Sequence, residues 1–152
     1  MDRLLNGLDR VALRHPDIHI KAQVGNSNFT SGRLSTLQRA SVNEFEALVK
    51  GCDVFVSHAG MGNILLACKL NKPLIIMPRQ TYFKEHISDH QIGTAEGLYD
   101  RDLIAVVNSP NELESAILAA LDTVTLNNAT HNEARKPRAE LINSIKAFIN
   151  ND

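Results

Sequence analysis

The chain has 152 residues, with 16 Lys and Arg against 17 Asp and Glu for a formal charge of −1, and its 43% hydrophobic and 22% charged residues are those of a globular domain. There is no surplus of basic side chains to release counterions from phosphates, so no nucleic-acid partner is expected. No run approaches the roughly 20 apolar residues of a membrane span, and Met1 to Arg10 lacks the apolar block of a signal peptide.

The period of the hydrophobic pattern switches repeatedly between helix-like and strand-like. Leu4, Leu5, Leu8, Val11 and Ala12 recur at helical spacing, and His15-Pro16 ends that segment. Ile18 to Val24 alternates as a short strand closed by Gly25-Asn26-Ser27, and a weaker strand is expected near Thr36 to Arg39. Ser41 and Glu44 form a capping-box pattern that opens a helix through Lys50. Asp53 to Ser57 is a continuous apolar run of the kind found in buried parallel strands. A glycine-rich turn follows, then a helix from Ile64 to Leu70 that Pro73 stops, and Leu74 to Met77 is a second buried strand. Pro78 to Lys84 reads as a loop, Glu85 to Leu98 as a helix, and Leu103 to Val107 as another strand. Ser109, Pro110 and Glu112 combine an N-cap, a first-turn proline and a capping-box acid, opening a helix to Leu121. Cys52 and Cys68 lie in apolar surroundings and read as reduced, buried thiols of a cytosolic protein.

Strands alternating with helices are the pattern of an α/β, doubly wound parallel sheet, Rossmann-like in type. Residues 1–122 are expected to form this domain, 123–138 a polar linker, and 139–152 an amphipathic helix with Leu141, Ile145, Phe148 and Ile149 on one face. That face either packs on the domain, docks a partner, or forms a homodimer.

Ligands of open parallel sheets bind at the carboxyl ends of the strands, and two loops there hold the candidate chemistry. In His58-Ala59-Gly60-Met61-Gly62-Asn63, the glycines permit a tight turn and close approach of a ligand. The helix N-terminus that follows offers amide donors to a phosphate or pyrophosphate. The alternative is a strand–helix turn whose glycines serve packing alone. In the loop from Pro78 to Gln91, Arg79 could pair with a phosphate, and Asp89 and Gln91 suit bidentate bonds to sugar hydroxyls. The alternative there is a solvated loop and helix start. His86 and His90 stand four apart, but Ile87 follows His86 where a zinc protease places its general-base Glu, so no metal is expected. Ser57 lacks the Gly-x-Ser-x-Gly elbow of a hydrolase.

The series Val54 to Asn63, Asn71 to Arg79, and Glu85-His86 with Asp89-His90-Gln91 resembles the C-terminal, nucleotide-sugar-binding domain of family 28 glycosyltransferases. It is most similar to the small soluble subunits of two-part transferases that build exopolysaccharide or dolichol-linked chitobiose. The resemblance implies the C-terminal half of a GT-B architecture, with UDP-sugar as substrate, no cofactor, and metal-independent, inverting transfer. It places His58, Ala59, Gly60, Met61, Gly62 and Asn63 against the diphosphate, and the segment carrying Glu85, His86, Asp89 and Gln91 at the sugar. A membrane-attached half-transferase would supply the lipid-linked saccharide acceptor and the catalytic base, leaving His58 as the best local catalytic candidate. The location implied is cytoplasmic, peripheral at the membrane through that partner.

Three departures stand out. Asn63 replaces the usual Ser or Thr, and Leu66 stands where relatives often place a ribose-binding Glu. The chain also begins inside the first helix, without the usual first strand that is central in the sheet, so either the true start lies upstream or this is a shortened variant. The absent first strand and Leu66 motivate an alternative in which a non-catalytic truncated subunit only binds its membrane partner. A nucleotide-sugar epimerase-like half-domain is a further alternative.

Overall fold

The computed structural model describes residues 1–85 and 103–129. Helix α1 (Asp2–Arg14) buries Leu4, Leu5, Leu8, Val11 and Ala12, the residues whose spacing predicts it. It stops at His15, since the ring of Pro16 disfavours helical geometry in the residue before it. Strands β1 (Lys21–Gln23) and β2 (Ser35–Leu37) pair in parallel, with Ala22 against Thr36. Helix α2 (Val42–Gly51) opens on the expected capping box: the Ser41 hydroxyl accepts from the Glu44 amide at 3.3 Å, and Glu44 accepts from the Ser41 amide at 2.8 Å. Hydrogen bonds from the Ser41 hydroxyl and amide hold the Glu44 carboxyl below the usual carboxylate range.

Strand β3 (Phe55–Ser57), helix α3 (Met61–Leu70), strand β4 (Leu74–Ile76), strand β5 (Ile104–Val106) and helix α4 (Leu113–Ala129) complete the described chain. Helix α3 begins at Met61 rather than Ile64, and ends on Asn71 in the left-handed conformation at φ 54°. The loop after β4 contains a short 3-10 turn, Thr81–Phe83. The helix expected from Glu85 to Leu98 lies outside the described residues beyond Glu85. Ser109 caps a 3-10 turn at Pro110–Glu112 that leads into α4, but Glu112 accepts from the Asn108 amide (3.2 Å) rather than from that of Ser109. Helix α4 continues past Leu121 to Ala129, so the first residues of the stretch expected to be linker are helical. The Thr123 and Thr125 hydroxyls donate to the carbonyls of Ala119 and Leu121, each at 3.0 Å. The remainder of that stretch and the amphipathic helix expected over 139–152 lie outside the described residues.

Among the described residues all strand pairs are parallel, and the strands form two pieces, β1–β2 and β3–β4–β5. Among the described residues β1 and β3 each pair along one edge only. Strand β4 is buried on both faces, as its unbroken apolar run predicts. Leu74 and Ile76 join Ile64, Ala67, Cys68 and Ile104 in one cluster. Ile75 and Met77 join Leu4, Leu8 and Val11 of α1 and Leu113 and Ile117 of α4 in the other. Helical cover on both faces is the doubly wound arrangement the alternation predicts. Cys68 is buried as expected, whereas Cys52 is half-buried, and burial pushes both thiols up from their ordinary value.

Helix α1 holds the two pieces together. On one flank Asp2 accepts from the Ser27 hydroxyl at 2.6 Å, and Asp9 accepts from the Ser31 hydroxyl and from Arg33 at 3.2 Å. On the other flank Arg10 donates to Asn111 at 3.2 Å, while Arg14 and His15 meet the Glu114 carboxylate at 2.5 and 2.8 Å. His15 first and Arg14 second hold the Glu114 carboxyl below the usual range.

Gly7 sits where α1 crosses the start of α4. A Cβ there would lie 2.5 Å from Leu113 Cδ1 and 3.0 Å from Pro110 Cβ. Alanine gains about 1 kcal/mol of helix propensity over glycine, but overpacking a filled contact costs about 1–3 kcal/mol, and the Pro110 ring cannot rotate aside. Gly7→Ala is therefore expected to lower the denaturation midpoint, by up to about 2 kcal/mol of stability. An unchanged or raised midpoint would show that this contact does not constrain the fold.

Candidate functional site

The carboxyl ends of β3, β4 and β5 open onto one edge of the larger sheet. The register sets this edge: Met77 donates its amide to the Ser57 carbonyl at 2.9 Å, and Val107 donates to Ile76 at 2.8 Å. The first turn of α1 reaches the same edge. There Arg3 donates to the Pro78 carbonyl at 2.9 Å, beyond β4, and to the Asn108 carbonyl at 2.8 Å, beyond β5. The N-terminus of α3 meets it from β3, through the turn His58 to Gly60.

This turn is tightly built. The Gly60 amide donates to the His58 carbonyl at 2.8 Å, and Ser57, buried at the end of β3, accepts from Asn63 Nδ2 at 2.6 Å. Asn63 thus ties the first turn of α3 to the strand before it, a role open to its amide group. Ala59 is buried in the cluster under α3, and Met61 packs against that cluster half-buried. His58 is half-buried, and its ring lies against Gly60: a Cβ at Gly60 would sit 2.9 Å from His58 Nδ1.

The two glycines therefore serve different ends. Neither has a positive φ, the value that would demand glycine for the turn itself. Gly60 makes room for the His58 ring, whereas Gly62 is exposed with nothing within 4 Å of where its Cβ would be. Among the described residues no side-chain cap bonds the start of α3 at Gly60. The first-turn amides of Met61 and Gly62 have no earlier helical carbonyl to bond, and with the helix dipole they form an anion-accepting end. Helix ends of this kind are general sites for anions.

Beyond β4, Pro78 is buried and Arg79 half-buried at the same edge. Glu85 is the last described residue of the loop, and its carboxylate is turned to Arg3, with Arg3 Nη2 at 3.1 Å and side-chain exposures of 12% and 6% for the pair. His86, Asp89, His90 and Gln91 lie outside the described residues. Leu66 stands half-buried on α3. Arg3 carries little sign of this role in the sequence. The only signal was a basic residue in the first turn of a helix, where the dipole favours an acid.

Alanine at each glycine separates packing from access. Gly62→Ala is expected to leave stability unchanged or raise it by up to about 1 kcal/mol. Gly60→Ala is expected to displace the His58 ring and lower the melting temperature, read by calorimetry. Equal behaviour of the two variants would contradict the assignment of separate roles.

Residues 2–145 match the family described as glycosyltransferase family 28 C-terminal domain. The chain is 35% identical over 77 residues to the UDP-N-acetylglucosamine transferase subunit ALG13 from two strains of Cryptococcus neoformans var. neoformans serotype D, JEC21 and B-3501A. The matched stretch is 49% of this chain and 36% of each relative, so the chain spans little more than a third of their length. Its fold is similar to a solved structure described as the glycotransferase of kitacinnamycin, with a TM-score of 0.62 and 17% identity, covering 95% of this chain and 35% of that chain.

Proposed function

Because the chain belongs to the glycosyltransferase family 28 C-terminal domain family, we propose that it is the UDP-sugar-binding catalytic subunit of a metal-independent, inverting glycosyltransferase. The observation that carries this reading is the uncapped N-terminus of α3, presented by Gly60 and the exposed Gly62 at the carboxyl edge of a parallel sheet. The diphosphate of the donor lies against the Met61 and Gly62 amides, and Arg79 adds positive charge from the loop after β4. As the bond to the sugar breaks, negative charge grows on the departing UDP. Fixed amide donors stabilise that charge without reorganising, which is electrostatic catalysis by a preorganised site.

Sugar recognition falls to His86, Asp89 and Gln91. The acceptor is a lipid-linked saccharide, and a membrane-anchored half-transferase supplies it together with the base. His58, at the start of the turn, is the catalytic candidate within this chain. No described helix is long and apolar enough to cross a membrane, and we place the subunit at the cytoplasmic membrane surface through its partner, in polysaccharide or oligosaccharide biosynthesis. The ALG13 relatives, UDP-N-acetylglucosamine transferase subunits, support UDP-N-acetylglucosamine as the first donor to try.

Calorimetric titration with UDP and UDP-N-acetylglucosamine tests this, on the chain alone and on its complex with a membrane-anchored half-transferase. Saturable binding is expected in the complex, and Gly62→Trp, which fills the open space at the helix end, is expected to abolish it. No heat from either ligand in the complex would contradict the reading. Binding without transfer to a lipid-linked acceptor would instead favour the non-catalytic subunit.

A further inference from the structure

Glu85 is one of the residues expected at the donor sugar, yet its carboxylate is already engaged within the protein. Oε2 accepts from Arg3 Nη2 at 3.1 Å and from the Gln80 amide at 3.3 Å, and Oε1 lies 3.5 Å from Arg3 Nε. The side chain is 6% exposed. A carboxylate in this position offers little surface to a sugar hydroxyl.

Arg3 is tied just as fully. Its guanidinium bonds Glu85 and the carbonyls of Pro78 and Asn108, and it stacks 4.6 Å from the centroid of the Phe83 ring. One side chain thus joins the first turn of α1 to the segments leaving β4 and β5. The loop is closed on itself as well, since the Phe83 and Glu85 amides both donate to the Gln80 carbonyl, at 3.2 and 3.3 Å. Lys84 adopts the left-handed conformation at φ 55° to complete the turn.

We propose that Glu85 is a positioning residue rather than a donor ligand: with Arg3 it forms a brace that sets the loop from Pro78 to Glu85. The inference rests on the donor-binding reading above. Through the brace, Arg79 near one end of the loop and Glu85 at the other are held at the sheet edge. A misplaced binding loop costs affinity even where no ligand contact is lost.

The test compares Arg3→Met, Glu85→Gln and the double variant by two readouts. The first needs no ligand: amide hydrogen exchange at Gln80, Phe83 and Glu85. The brace predicts that protection there falls about tenfold or more in each single variant, with the double variant no worse than either, as for two residues acting as one unit. The second is affinity for UDP and for UDP-N-acetylglucosamine in the partner complex, expected to fall by a similar factor for both ligands in all three variants.

Unchanged exchange in the loop would overturn the proposal. So would a Glu85→Gln variant that loses affinity for the sugar nucleotide alone, while Arg3→Met keeps it. Should Arg3→Met fail to fold, Arg3→Lys, which keeps the charge without the fork, is expected to give the same direction at smaller size. If the unaltered complex binds neither ligand, the donor-binding reading fails, and the exchange result alone still decides whether the brace exists.

Discussion

Among the described residues no backbone ladder joins β1 to β3, and side chains of one helix, α1, bond the segments around both pieces of the sheet. Its apolar stripe enters the cluster formed with Ile75, Met77, Leu113 and Ile117. Its acidic flank, Asp2 and Asp9, bonds the segment between β1 and β2, while Arg3, Arg10 and Arg14 bond the segments around β5 and α4. Opposite charges on opposite flanks match one helix to two neighbours. Exposed pairs of this kind contribute little each, about 0–1 kcal/mol. The buried stripe supplies most of the attraction, and the polar flanks fix the angle at which it is delivered.

That angle reaches the functional edge. The same helix turn that begins the apolar stripe also carries Arg3, so placing Leu4 and Leu5 in the core places the guanidinium between Pro78 and Asn108. The opposite face of the sheet sets the second element of the site. Ile64, Ala67 and Cys68 dock α3 on Leu74, Ile76 and Ile104, which leaves its uncapped N-terminus at the carboxyl edge. Both arms of the site are thus set by the burial of alternate side chains of β4. Placing donors on packed helices makes them available to a developing charge without reorganisation.

Much of this was legible in the sequence because the governing interactions are local. The Ser41–Glu44 box, the stop at Pro16 and the buried apolar run of β4 each involve residues close along the chain, and each forms as expected, whereas β3 forms only over Phe55–Ser57 with Phe55 and Val56 half-buried. The parallel sheet with helices on both faces follows from their alternation. What was illegible is long-range. Arg3 and Glu85 are 82 residues apart, and no periodicity marks them as partners. Two misreadings have local causes. The polar run from Thr123 reads as linker, yet Thr123 and Thr125 satisfy their hydroxyls on the preceding helical turn and α4 continues. Gly60 reads as a turn former, whereas its backbone is unstrained and the neighbouring His58 ring occupies the space a Cβ would need.

The most direct test of the account is where a uridine diphosphate lands on this chain. Backbone amide shifts recorded by NMR during a titration with UDP, in the complex with its half-transferase, would show it residue by residue. The largest shifts are expected at Met61, Gly62 and Arg79, with little change along α2. Shifts centred on α2 or on the β1–β2 unit, with the α3 N-terminus silent, would contradict it.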